Sequence, residues 1–420
     1  MPLTVHTADV VLPVTAAAVR DGAVAVDGDR IAAVGPRAAV LDAHPGSRER
    51  AWRGVLTPGL VNAHTHLQYT DFADLARSGL PFPQWIATLT QRRATFTAER
   101  WRESTRRGVH ALLRNGTTAA ADVVTDACAL GPVAKAGLAG VSYVEAVGAD
   151  DRRWAEQHRP RLIQALETAP SGRAVGVSPH TLYTLGTAVF RDCLDIARVR
   201  GLRVHTHLAE TAAEAEYVLS GSGPFADAMR GSGLEMELLA SGGARSSPTV
   251  HLASLGGLGP DVHVAHAVYC DRADRELLRS TGTAVALCPR SNRVLEAGAP
   301  PVAAYLDEGA ALAIGTDSLA SASSLDLWAD VGALHALARD QGYDGGDLPR
   351  RLVEAATTGG AAAMGLPDSG ELRPGGRADL AVFDVPVDTD PYAALVAHAA
   401  GRCTVTVLAG RCVHRARVAG

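Results

Sequence analysis

The stretch Thr57-Pro-Gly-Leu-Val-Asn-Ala-His-Thr-His-Leu67 ends an apolar run in His-x-His. On a β-strand every second side chain shares a face, so His64 and His66 project together. Neutral imidazole is a common metal ligand, and two on one face make half a site. Other polar residues end apolar, strand-like runs further along: Ser178-Pro-His180, Val204-His-Thr-His207 with Leu-Ala-Glu210 after it, Val262-His-Val-Ala-His266, and Ile314-Gly-Thr-Asp317. A lone strand-end histidine is more often structural than ligating. The joint occurrence points to a metal centre. Three His and one Asp suit one divalent first-row ion, zinc first and iron second, with a position left open for water. Such an ion turns water into a nucleophile near neutral pH. Asp317 can approach the ion and accept a hydrogen bond from that water. Glu210, three residues past His207, can take a proton from the water and pass it to a substrate. Its simpler role is that of an acidic residue ahead of the helix start Thr211-Ala-Ala-Glu214, favoured by the helix dipole.

The elements that must position these residues alternate. Strand-like runs are expected at Leu56–Ala63, Thr117–Val124, Gly140–Ala146, Ala174–Pro179, Leu202–His207, Val262–His266, Thr283–Cys288 and Leu312–Asp317. Stretches of helical period lie between them, such as Arg191–Arg200 and Arg272–Ser280, each followed by a Gly suited to a helix C-terminus. Eight strands alternating with helices imply an α/β chain with a (β/α)8 barrel over residues 57–366, whose chemistry belongs at the strand ends. A doubly wound sheet is the alternative, but no Gly-rich fingerprint follows the first strand. The two ends read differently. Ala8–Leu12, Gly22–Val26 and Arg30–Val34 are short strands, with Asp27-Gly-Asp29 as a hairpin turn. Gly370–Asp384 and Cys403–His414 are β-rich as well. Neither end can bury a core alone, so residues 1–56 and 367–420 are expected to form one small composite β-domain. The Gly- and Ser-rich run Ala240–Ser247 reads as a flexible loop near the barrel mouth.

Composition narrows the function. The chain has 420 residues, 47% hydrophobic and 20% charged, which is enough for a large core. Its net charge of −5 and lack of basic runs argue against nucleic-acid binding. No apolar run is long enough to span a bilayer, and the N-terminus lacks a secretory pattern. The 6 cysteines are dispersed, which fits reduced thiols in a cytoplasmic protein. Nothing in the sequence bears on whether the chain forms homo-oligomers.

The strand-end set resembles the amidohydrolase superfamily, and the match covers nearly the whole chain, from Val26-Asp-Gly-Asp-Arg-Ile-Ala-Ala-Val-Gly35 to Gly375-Gly-Arg-Ala-Asp-Leu380. The resemblance implies a distorted barrel beside a small β-sandwich made from both termini. It also implies metal ligation by His64, His66, His207 and Asp317, with His266 orienting the water without being a primary ligand. Binuclear members bridge their metals with a Lys or Glu from strand three or four. Here Ala174–Pro179 has no Lys, Lys135 precedes strand three, and Glu145, the remaining bridging candidate, reads rather as a substrate or structural residue, so one metal ion is implied. Glu210 with Ser178-Pro-His180 resembles the deaminases of purine nucleosides and related heterocycles, hydrolases of non-peptide C–N bonds. In that branch the Glu protonates a ring nitrogen and His180 contacts the substrate.

Within it, His66-Leu-Gln-Tyr-Thr-Asp-Phe72 and Leu80-Pro-Phe-Pro-Gln-Trp-Ile86 resemble the aminodeoxyfutalosine deaminases of menaquinone biosynthesis, although that group carries Leu-Glu-Phe-Ser where this chain has Leu-Gln-Tyr-Thr. Gln68, Phe82 and Trp85 are then expected at the substrate, and Arg290 or Arg293 against a benzoate-like carboxylate. The alternatives are adenosylhomocysteine, methylthioadenosine, guanine or a triazine as substrate, hydrolysis of a cyclic amide, and a non-enzymatic scaffold.

Overall fold

The computed structural model describes residues 3–387 and 390–416. The chain opens with four strands: β1 (Thr4–Val11), β2 (Val19–Asp27), β3 (Arg30–Pro36) and β4 (Arg48–Pro58). The β2–β3 hairpin pairs Asp27 with Arg30, and Gly28 supplies the positive φ of 59° that the tight turn needs. β4 differs from the sequence expectation. It runs back to Arg48, because its first half alternates along a solvent-facing edge and carries no apolar signal.

Pro58-Gly59 ends β4, and β5 (Leu60–Thr65) starts the second sheet, so the run expected at Leu56–Ala63 is divided between two sheets. Gly59 sits where a Cβ would lie 2.0 Å from Thr118 Oγ1, so no larger residue fits at the crossing. The barrel continues with β6 (Thr117–Val124), β7 (Ala139–Ala146), β8 (Ala174–Pro179), β9 (Val204–Leu208), β10 (Val262–His266), β11 (Ala284–Leu287) and β12 (Leu312–Ile314). All neighbours are parallel and follow sequence order from β5 to β12. The ladder is looser in two places, which makes the barrel a distorted one. β8 and β9 share one residue pair, Val177 with Val204. The seam between β5 and the segment after β12 is closed by other bonds. Asp317 N donates to His64 O at 3.0 Å, Thr65 Oγ1 to Asp317 O at 3.0 Å, and Asn62 Nδ2 to Thr316 Oγ1 at 2.8 Å.

Between strands run amphipathic helices. Thr187–Val199 buries Val189, Phe190, Leu194 and Ile196, ending at Arg200 with Gly201 at φ 63°. Each such side chain is worth roughly 1.5–3 kcal/mol of apolar burial. Arg272–Ser280 carries a capping box between Asp271 and Asp274. Among the described residues no helix is long and apolar enough to cross a membrane.

The chain ends in β13 (Leu380–Phe383), β14 (Cys403–Leu408) and β15 (Arg411–Arg415), which join the opening strands in one mixed seven-stranded sheet, β15-β14-β13-β4-β1-β2-β3. Val24 and Val26 from one arm and Val405 and Val407 from the other share a single apolar cluster. Of the expected composite unit, residues 1–2, 388–389 and 417–420 lie outside the described residues. Ala240–Ser247 differs from the expected mobile loop. Ala244 N and Arg245 N are tied to the carbonyls of Val218 and Leu219, and Ser247 caps the helix Pro248–Ser254.

Candidate active site

Strand geometry brings the expected residues to one end of the barrel. His64 and His66 share a face of β5 and its exit, and His207 ends β9. Asp317 follows β12 after Gly315, a residue with no room for a side chain: a Cβ there would stand 2.6 Å from His64 Cβ. His66 Nε2 and His207 Nε2 are 3.3 Å apart. Asp317 Oδ1 is 3.6 Å from His64 Nε2 and 3.6 Å from His66 Nε2. Nitrogens about 2.0–2.1 Å from one ion in tetrahedral array stand about 3.3 Å apart. His64 Nε2 is buried without a hydrogen-bond partner. The spacing, the orphaned nitrogen and the N/O donor set all fit one divalent ion.

Two of the three rings are held by the outer nitrogen, His64 through Nδ1 at 2.9 Å from His205 Nε2 and His207 through Nδ1, whereas His66 Nδ1 is buried without a partner. His207 Nδ1 faces the carbonyl of His180 at 3.3 Å, which leaves Nε2 as its lone pair. Burial pulls the His66 pKa down to about 4 and the His207 pKa well below its ordinary value, so both rings are neutral, the form that ligates. Asp317 is the opposite case. Burial would raise its pKa, but the hydrogen bond from His64 and the surrounding histidine rings outweigh it and hold the carboxyl well below the usual range. Its Oδ2 accepts from Ser291 Oγ at 2.6 Å and Ser321 Oγ at 2.8 Å.

His266 clusters with His64 and His207, their ligand atoms within 4.8 Å of one another, as Asp317 does with His64 and His66. Asn292 Nδ2 donates to His266 Nδ1 at 3.1 Å, which puts the ring proton on Nε2, 3.6 Å from Glu210 Oε1. Burial, then His64, brings the His266 pKa down to about 3. Glu210 is 6% exposed, and burial, with Asp317 and Glu214 adding, raises its pKa well above the carboxylate range. Burial thus favours the protonated carboxyl over the carboxylate. Strain concentrates at these strand ends: Ala209, His266 and Asp317 have φ of 49°, 73° and 57°, a region non-glycine residues rarely adopt.

His66, His207, Glu210, His266 and Asp317 form the floor of a cavity of about 1070 Å³, the upper end of the range for small-molecule sites, with His64 buried behind them. Gln68, Phe82, Trp85 and His180 line it. Trp85 Nε1 is spent on Ala320 O at 2.9 Å, so the ring face is what it offers. Gln68 Nε2 donates to Thr125 Oγ1, and that hydroxyl donates to Glu145 Oε2 at 2.6 Å. Glu145 Oε1 is left buried and unpaired. His180 Nδ1 meets Thr184 Oγ1 at 2.9 Å.

Arg290 is a correction. Its guanidinium does not line the cavity. It is consumed by buried Asp330, at 2.8 and 3.0 Å, and by Ser324 and the carbonyl of Asp326. Arg293 is exposed and lies outside the cavity too. The arginines that do line it are Arg93, Arg153 and Arg161. Sequence reading also missed Ser291 and Asn292, in the short helix Pro289–Val294 after β11, and Ser321, in the loop after β12, none of which carries a periodic signal. It missed His205, although period-two alternation from His207 would have put it on the same face.

Comparison with known proteins agrees with this geometry. Residues 55–413 match the amidohydrolase family, and residues 22–46 match a bacterial imidazolonepropionase-like composite domain. The chain is 33% identical to the 5-methylthioadenosine/S-adenosylhomocysteine deaminase of Nitratidesulfovibrio vulgaris (strain Miyazaki F), across 94% of this chain and 88% of that protein. Among solved structures it is similar to an adenosine deaminase from Xanthomonas campestris with bound zinc, at 26% identity and a TM-score of 0.79 over 98% of this chain and 93% of that one. The fold is also that of Helicobacter pylori aminofutalosine deaminase, at 18% identity and a TM-score of 0.83 over 98% and 100%.

Proposed function

The chain belongs to the amidohydrolase family and is a hydrolase of carbon–nitrogen bonds, and on that premise we propose that it removes the exocyclic amine of a 5′-substituted adenosine as ammonia. The observation that carries this reading is the buried carboxyl of Glu210, 3.6 Å from His266 Nε2, on the same cavity floor as His66 and His207 and beside the buried His64. That floor offers an acid for a ring nitrogen and a site for a hydrolytic ion together. The methylthioadenosine/adenosylhomocysteine deaminase among its relatives favours a 5′-thio nucleoside.

The family is metal-dependent, and we assign the ion to His64, His66, His207 and Asp317. Zinc is favoured by the zinc-bound neighbour. When bound, such an ion lowers the pKa of water and supplies a nucleophile at neutral pH. The residues do the rest. Glu210 gives its proton to the ring nitrogen beside the amino-bearing carbon, which makes that carbon electrophilic. Asp317, ionised, accepts a proton from the attacking water. His266 turns its Nε2–H into the cavity and steadies negative charge on the incoming oxygen. The proton then passes to the amine, and ammonia leaves. Phe82 and Trp85 give flat apolar walls for the base, and His180 a polar contact.

Arg93, Arg153 and Arg161 favour a side group that ends in a carboxylate. Adenosylhomocysteine carries one, and so does aminodeoxyfutalosine. The second reading is therefore aminodeoxyfutalosine, with a place in menaquinone biosynthesis. It is favoured by the same arginines and by the aromatic lining from Phe82 and Trp85. Ammonia release from adenosine, methylthioadenosine, adenosylhomocysteine and aminodeoxyfutalosine, with guanine, a triazine and a cyclic amide beside them, tests the proposal. The expected result is turnover of the adenine nucleosides, with the lowest KM for a carboxylate-bearing one. No turnover of any 6-aminopurine would overturn it.

A further inference from the structure

Below the converging nitrogens the barrel buries two more histidines. His205 on β9 and His263 on β10 face each other in the parallel ladder, and both are wholly buried. His205 Nε2 is 2.9 Å from His64 Nδ1. Among the described residues this is the one side-chain hydrogen bond His205 makes, since its Nδ1 is buried without a partner. His263 is committed elsewhere, with Nε2 donating to Ala63 O at 3.0 Å. Its ring centroid is 4.4 Å from that of His205, and Tyr143 closes the layer at 5.3 Å from each.

Two neutral imidazole nitrogens 2.9 Å apart share one proton: one donates and the other accepts. Two arrangements satisfy the contact. In one, His64 donates from Nδ1, and its Nε2 is a bare lone pair beside His66 and Asp317. In the other, His205 donates, and His64 carries its proton on Nε2, turned towards Asp317 Oδ1 at 3.6 Å. His64 cannot ligate in that second form. We propose that His205 is a positioning residue for the metal centre: by accepting at Nε2 it holds the His64 proton on Nδ1 and presents His64 Nε2 as the ligand atom. The proposal rests on the reading of His64 as a ligand. A ligating histidine commonly gives its outer N–H to a carboxylate, a carbonyl or water. Here another neutral imidazole takes it, which orients the ring without adding charge beneath the ion.

The test is zinc affinity by chelator competition in the full-length protein, for wild type, His205→Leu and His205→Gln. Leu removes the acceptor, and the Gln amide oxygen can reach the position of the imidazole Nε2. The expected result is a loss of about 10–100-fold for His205→Leu, with most of it recovered in His205→Gln, while the metal-free forms melt alike. Zinc held as tightly by His205→Leu as by wild type would overturn the proposal. So would equal weakening by both variants, which is what packing alone would give. Nitrogen-15 spectra of the zinc-loaded wild type give a reading that needs no variant to fold. The expected state is His64 protonated on Nδ1 and His205 bare on Nε2, and a proton on His205 Nε2 overturns the assignment. A wild type that holds no zinc would sink the metal-centre reading as well, whereas normal zinc binding insensitive to position 205 sinks this inference alone.

Discussion

The carboxylate of Glu214 grips the backbone on which Glu210 stands: Oε2 accepts from Glu210 N at 2.8 Å and Oε1 from Ala209 N at 2.9 Å. Glu214 in turn is fixed by the cap of its own helix, where Thr211 Oγ1 accepts from Glu214 N. The left-handed turn at Ala209, strained for a residue with a Cβ, is stabilised by that grip. The acid at the cavity floor is therefore aimed by a second acid that never reaches the cavity.

Glu210→Gln keeps the shape of the side chain and removes its transferable proton. Metal content should stay near wild type, because Glu210 is outside the ligand-like set. Turnover should fall by about 10²–10⁴-fold, the usual worth of a positioned acid–base group. Steady-state kinetics with elemental analysis on the same preparation checks both. A variant at near-normal rate would remove Glu210 from proton transfer.

Glu214 makes the fold pH-sensitive. Burial, opposed by its backbone hydrogen bonds, raises its pKa to about 7 from 4.5. A folded-state pKa above the unfolded one means the folded protein binds the extra proton between these values. The stabilisation is complete below about pH 4.5 and is lost as pH rises through about 7. Each pKa unit is worth about 1.4 kcal/mol, so wild type should lose on the order of 3 kcal/mol across this window that Glu214→Gln does not lose. Urea unfolding of both proteins between pH 5 and 8 measures the difference, and groups common to the two cancel. Parallel pH profiles would show that Glu214 does not titrate in this window.

Arg290 separates a structural role from a binding one. Its pair with Asp330 is buried at both ends, 8% and 0% exposed. Removing the cation by Arg290→Leu leaves Asp330 uncompensated, at a cost of roughly 3–5 kcal/mol. The urea midpoint should drop, while the KM of folded enzyme for a carboxylate-bearing nucleoside stays put. Arg153→Ala should do the reverse, raising that KM with little loss of stability, since Arg153 lines the cavity and, among the described residues, its guanidinium hydrogen-bonds Ser232 O alone, at a long 3.3 Å. A raised KM in Arg290→Leu alone would reinstate it as a substrate contact.

What could be read from the sequence follows from period. The barrel strands carry long apolar runs because both faces are buried, and β6, β8 and β10 were legible to the residue. The ligand-like residues stood out because each ended such a run. β4 was half missed because its edge is polar, and β12 ends at Ile314, three residues short of the expected end, with the backbone turning left-handed at Asp317. Arg290 was misassigned for a related reason: a strand-end arginine is equally suited to a ligand or to a buried acid, and Asp330 lies forty residues away on another helix. Ser291 and Asn292 act from a short helix, Glu214 from the first turn of another and Ser321 from a loop, and no spacing rule marks any of them.

Gly315 tests how closely the seam must fit. Added to this residue, a Cβ would lie 2.6 Å from His64 Cβ, 2.9 Å from His64 O and 2.9 Å from Cys288 Sγ. Two of these neighbours belong to the strand that carries the His-x-His pair, and the backbone oxygen cannot rotate aside. Gly315→Ala must therefore push β5 away from Asp317, whose N–H bonds His64 O across the same seam at 3.0 Å. Displacing a ligand by about 1 Å can cost on the order of 100-fold in rate. The expected outcome is a folded protein, judged by far-UV circular dichroism, that loses zinc to a chelator faster than wild type and has kcat/KM lower by about that factor. Serine should behave like alanine, because the clash begins at Cβ. Wild-type metal retention in Gly315→Ala would mean that the seam can open without moving His64, and that the His64–Asp317 spacing is not what fixes the ion.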